Sequence, residues 1–98
     1  MRRAHIIETL RGQEAALRAR GVRHAALFGS AARGGDPAGG EIDILVEFEP
    51  EAGVTVFDYV GLKRYISGLF DEVVEVVDRE ALKPHRQAGS ARDAVYAF

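Results

Sequence analysis

The sequence has no cysteine in its 98 residues, which excludes disulfides, thiolate metal sites and a cysteine nucleophile, and suits a reducing compartment. Long apolar runs are missing too. The longest are far short of a membrane span, and the opening Met1-Arg2-Arg3-Ala4-His5 is not followed by the apolar core of a signal peptide. The expectation is a cytoplasmic protein with no membrane partner. There is also no surplus of positive charge: 13 Lys and Arg stand against 15 Asp and Glu, a formal charge of -2, without the broad positive field of a non-specific nucleic-acid binder. Direct nucleic-acid binding is therefore not expected. His5, His24 and His85 lack metal-ligand spacing, and no repeat, low-complexity tract or linker divides the chain. The 47% hydrophobic content is ordinary for a globular fold, and the length suits one core. Residues 1–98 are thus expected to form a single domain.

From Arg2 to Arg20 there is no proline, and Ile6, Ile7, Leu10 and Leu17 fall near one helical stripe with Gly21 placed to cap the C-terminus. This predicts a first helix, weakened by Gly12 at about 1 kcal/mol relative to Ala. Val22 to Phe28 reads as a short buried strand and Glu41 to Phe48 as a second. The Gly, Pro and Asp content of the segment between them predicts a loop, with room for one helical turn starting at Ser30. Thr55 to Phe70 carries Val56, Tyr59, Val60, Leu62, Lys63, Ile66 and Leu69 at mixed helical spacing and predicts a second helix capped by Thr55. Asp71 to Asp78 is a β-branched run and the third strand. The tail from Arg79 is expected to be helical on either side of Pro84 and again near Ala91 to Tyr96.

Alternation along the second strand points Glu41 and Asp43 one way, and Ile42, Ile44, Val46 and Phe48 the other way into a core. Two carboxylates then share a patch. The loop from Gly29 to Gly40 is too short for a helical crossover, so the first two strands are expected to be antiparallel, bringing Gly29-Ser30 opposite Glu41-x-Asp43. The helix between the second and third strands permits a parallel return, and Glu75 joins the pair if the faces match. Its other reading is an outward charge on an edge strand that discourages aggregation. Three crowded carboxylates call for a cation, and hard oxygen ligands suit Mg²⁺ or Mn²⁺ carrying substrate phosphates. Gly29, with no Cβ, lets backbone N–H groups and the Ser30 hydroxyl approach a phosphate, while Arg33 adds positive charge or else remains an exposed helix charge. A polyphosphate with its metal is the simplest ligand. Glu47, Glu49 and Glu51 read as a solvated strand end. Tyr59, Tyr65 and the Tyr96 to Phe98 end read as packing residues. The apolar tail also reads as an interface, so a homo-oligomer stays open.

Gly29-Ser30, ten intervening residues, Glu41-Ile42-Asp43-Ile44 and then Val74-Glu75-Val76 resemble the nucleotidyltransferase pattern of the DNA polymerase beta superfamily. The phrases "LFGSAARG", "EIDILVEFEP" and "VVDREALKP" are similar to its minimal nucleotidyltransferases, and the likeness runs from about His24 to Pro84. It implies an α/β nucleotidyltransferase fold, a small mixed sheet flanked by helices, and Mg²⁺-dependent transfer of AMP from ATP to a hydroxyl. It assigns Glu41, Asp43 and Glu75 as catalytic and metal-binding residues, and Gly29, Ser30 and Arg33 as nucleotide-binding ones. It further implies an antitoxin partnered with a HEPN-domain toxin, adenylylated on a tyrosine. A rival reading is an inactive module of the same fold that neutralises its partner by contact. The family usually carries Asp where this chain has Glu41 and often where it has Glu75, each change adding one methylene.

Overall fold

The structure is a computed structural model, and it describes residues 3–28, 41–81 and 94–98. Where one opening helix is expected there are two, α1 (Arg3–Gly12) and α2 (Glu14–Ala19), parted at Gln13 directly after Gly12. The break follows from Gly12, the weakest helix former of the segment. Both helices still present one stripe, because Ile6, Ile7, Leu10 and Leu17 are all buried. Gly21 closes α2 as expected: its φ is +94° and its N–H donates to Arg18 O at 3.0 Å.

Three strands follow the alternation of the sequence, β1 (Val22–Phe28), β2 (Glu41–Phe48) and β3 (Val73–Asp78). The helix α3 (Val56–Ser67) joins the last two. Thr55 and Asp58 form a reciprocal capping box at its start: Asp58 N–H donates to Thr55 Oγ1 at 3.1 Å, and Thr55 N–H to Asp58 Oδ2 at 3.0 Å. A short 3₁₀ turn covers Arg79–Ala81. The tail departs from expectation, since Val95–Tyr96 is a strand, β4, rather than a helix. Its β-branched and aromatic pair extends the open edge of β1, and Ala97 N–H donates to Ala25 O at 2.8 Å. The expected helix around Pro84 lies outside the described residues, beyond the 3₁₀ turn.

The sheet runs β3-β2-β1-β4. β1 is antiparallel to β2 and to β4, whereas β2 and β3 are parallel. This is a small mixed sheet flanked by helices. On the helix side Ala25, Leu27, Ile42, Ile44, Val46 and Val76 join Ile6, Leu10, Leu17, Leu62 and Ile66 in the main core. Val56 and Val60 stay outside it, exposed with Phe57, because α3 turns Leu62 and Ile66 inward. On the opposite side Ala26, Phe28 and Leu45 make a smaller cluster with Val77 and Ala94. A register shift between Val22 and His24 puts Val22 opposite Phe48 and His24 opposite Glu47. His24 falls on this second side by alternation with Ala26 and Phe28, and Glu47 by alternation with Asp43 and Leu45, while the bulge returns Val22 to the core side.

Candidate active site

Alternation in β2 sets Asp43 on the side away from the helices, between Ile42 and Ile44, which are fully buried in the main core. Register then assembles the neighbours. Asp43 stands opposite Phe28, the last residue of β1, and on its other flank opposite Glu75 of β3. Partners in register share a face, so the Asp43 and Glu75 carboxylates lie side by side on adjacent strands. Asp43 is half-buried and Glu75 is exposed. Glu41 occupies the β2 position opposite Val73. Gly29, Ser30 and Arg33 lie outside the described residues.

The carboxylate oxygens of Asp43 and Glu75 are the donor type that a hard dication takes. The chemistry of Asp43 and Glu75 therefore fits Mg²⁺ or Mn²⁺. No group of three or more potential metal-ligating side chains occurs among the described residues.

Further along the same face, Glu47 departs from the solvated strand end that its position in the sequence suggests. Arg79 Nη1 donates to Glu47 Oε1 at 2.9 Å, and the Tyr96 hydroxyl donates to Glu47 Oε2 at 3.0 Å. One carboxylate thus ties the turn after β3 and the strand β4 to the middle of the sheet. Burial first, and then the Glu47 carboxylate, raise the Tyr96 phenol above its ordinary value. Sequence reading missed this network because its members are 17 to 49 residues apart. Alternation with Asp43 and Leu45 gives the face of Glu47, but nothing local signals its partners.

Tyr59 secures the site from the helix layer. Its hydroxyl donates to Val76 O and accepts from Asp78 N–H, each at 3.1 Å, while its ring meets Phe48 edge-on at 5.9 Å. It fixes the end of β3, the strand that carries Glu75. Burial raises the Tyr59 phenol above 10.0; the Asp78 and Glu75 charges add to this, against the lowering hydrogen bond from Asp78.

A cavity of about 680 Å³ lies elsewhere, at the far end of the sheet. Arg18, Arg20 and Gly21 line it on one side, and Glu49, Glu51 and Asp58 on the other. These residues come from the entry to β1 and the exit from β2, whereas Asp43 and Glu75 sit near the opposite strand ends. No helix among the described residues is long and apolar enough to cross a membrane.

The family model for the nucleotidyltransferase domain matches residues 10–96. Among solved structures, a protein described as a minimal nucleotidyltransferase is 32% identical, with a TM-score of 0.71, over 91% of this chain and 93% of that one. A mutant form of the toxin-antitoxin MntA-HpeT shares the fold at 17% identity and a TM-score of 0.68, over 100% of this chain and 73% of that one. No curated protein matches. With the acidic register of β2 and β3 carried on this mixed sheet, the chain belongs to the nucleotidyltransferase domain family, in its minimal nucleotidyltransferase branch.

Proposed function

We propose that this protein is a metal-dependent nucleotidyltransferase that works in the cytoplasm as the antitoxin of a two-component pair, transferring AMP from ATP to a tyrosine hydroxyl of a HEPN-domain toxin. The observation that carries the transferase reading is the register of Asp43 against Glu75 on the sheet face away from the helices. The partner reading draws on the structural likeness to the toxin-antitoxin MntA-HpeT.

Asp43 and Glu75, with Glu41, are the residues that would hold Mg²⁺ or Mn²⁺. A dication bound there supplies charge neutralisation at the phosphates and a lowered pKa for an attacking hydroxyl. Gly29 and Ser30 bind phosphate oxygens through backbone N–H groups and the hydroxyl, and Arg33 adds a cation. In the transfer the acceptor oxygen bonds to the α-phosphorus, the bond from that phosphorus to the bridging oxygen breaks, and pyrophosphate leaves. The acceptor's proton passes to a carboxylate of this face. The main core holds β2 and β3 in register from below, which fixes the spacing of the two carboxylates before ligand arrives.

Calorimetric titration with ATP tests the site. Binding should be strong only with Mg²⁺ or Mn²⁺ present, and Asp43→Asn should weaken it. Equal binding with and without metal would remove the carboxylates from this role, and no binding in any condition would favour the inactive module.

A further inference from the structure

β3 is the outer strand of the sheet, with no further strand beyond it among the described residues. Register fixes which of its backbone groups point outward. Ala97 N–H donates to Ala25 O at 2.8 Å, so Ala25 turns its backbone groups toward β4, and its β2 partner Val46 turns its own toward β3. Ile44, two residues earlier, does the same. In a parallel pair such a residue bonds to the two neighbours of its register partner, here Glu75 and Val77 on either side of Val76. Val76 and Asp78 therefore direct their N–H and C=O groups away from the sheet. The Tyr59 hydroxyl meets them there, donating to Val76 O and accepting from Asp78 N–H, each at 3.1 Å. One oxygen stands where a neighbouring strand would supply a peptide N–H and a peptide C=O. Lys63, one turn along α3, holds its ammonium 4.7 Å from the centre of the Tyr59 ring and brings to this edge the charge that commonly blunts exposed strands.

We propose that Tyr59 closes the outer edge of β3 against strand addition, and that the strand it excludes is β3 of a second copy of this chain. The sequence of the strand points to that occupant. In an antiparallel two-fold contact centred on Val76, Val76 meets its own counterpart, Val77 meets Glu75, and Val74 meets Asp78. No carboxylate stands directly opposite another, and β-branched side chains fill the contact. The two Val76 residues would exchange both of their N–H···O bonds, and Tyr59 stands against the carbonyl that this exchange needs. A paired β3 would also load the strand that carries Glu75, so the closed edge keeps that strand in register with β2 alone. The inference concerns the fold and holds whether or not the chain transfers AMP.

Sedimentation equilibrium and amide exchange on the full chain test this, with wild type compared to Tyr59→Phe. In dilute solution the Asp78 amide of the variant should exchange about fivefold faster, the equivalent of one net hydrogen bond. As concentration rises the variant should associate into dimers and wild type should not, with protection growing at the Val74 and Val76 amides. Val73 is 69% exposed and falls opposite Arg79 of the other copy, so adding Val73→Lys to Tyr59→Phe places like charges there. Because that pair occurs twice in the contact, association should weaken about tenfold. Gly21→Ala, of comparable cost to stability and remote from this edge, controls for association through partial unfolding and should stay monomeric. A Tyr59→Phe chain as monomeric as wild type, an unchanged Asp78 exchange rate, association indifferent to Val73→Lys, or equal association of Gly21→Ala would each overturn the proposal.

Discussion

Tyr59→Phe isolates one oxygen atom on which the end of β3 depends. The substitution keeps the edge-on contact with Phe48 and the ring beneath the Lys63 ammonium at 4.7 Å. It removes the donor to Val76 O and the acceptor for Asp78 N–H. A hydrogen bond contributes on the order of 1 kcal/mol net, and a backbone group left without its partner costs about as much again. The Tyr59 side chain is only part-buried, so water replaces some of the loss, and the expected destabilisation is about 1–2 kcal/mol. For a domain of this length each kcal/mol lowers the melting temperature by roughly 4–8 °C. Urea unfolding and a thermal melt measure both quantities. The phenol gives a second readout: its folded pKa is raised above 10.0, so its contribution is fully present below pH 10.0 and is lost as pH rises through the higher folded value. Wild type should therefore lose stability above pH 10 more steeply than Tyr59→Phe. A variant within about 0.3 kcal/mol of wild type at neutral pH, below the net worth of one hydrogen bond, would refute this account of the strand end.

Two further outcomes follow from local geometry. Gly21→Ala should cost about 2 kcal/mol by chemical denaturation, since its φ of +94° strains any L side chain and a Cβ would stand 2.9 Å from Ala52 Cβ and 3.0 Å from Val54 Cγ2; an unchanged midpoint would show that the turn relaxes freely. Thr55→Ala should cost about 1 kcal/mol by removing one half of the capping box. The Thr55 backbone N–H first, and then its side chain, lower the Asp58 pKa below 3.8, so the carboxylate's contribution is present above pH 3.8 and lost as pH falls through the folded value. Thr55→Ala keeps that N–H, so most of this acid dependence should persist in the variant, and its complete loss would contradict the assignment.

The parts of the fold written in alternation and spacing were legible. Ile42, Ile44 and Val46 against Asp43 declared a strand with one buried and one acidic face, and the short loop before it required the antiparallel partner that β1 supplies. The parallel return through α3 then set Glu75 opposite Asp43, a register the sequence leaves conditional because nothing local fixes how far a crossover advances. Gly12 was legible as a weakness but not as a break, since whether a glycine bends a helix depends on what packs beneath it. The β4 strand was hidden for a related reason: Val95 and Tyr96 are strand residues only because β1 offers an open edge. Glu47 looked like solvent charge until the long-range partners Arg79 and Tyr96 are in place. Phe57 illustrates the reverse limit, because mixed apolar spacing in α3 does not say which side the core takes. The proposed nucleotide-binding role of Gly29, Ser30 and Arg33 rests on the sequence pattern alone.

The most direct test of the central claim is the mass of the co-produced toxin, measured with ATP and Mg²⁺ in the presence of wild type and of Asp43→Asn. The account predicts that wild type adds one AMP per modified tyrosine, that Asp43→Asn adds none, and that toxin suppression in cells is lost with the transfer. Suppression that survives Asp43→Asn, with no mass increase on the toxin under wild type either, would contradict the catalytic assignment and leave a fold that neutralises by contact alone.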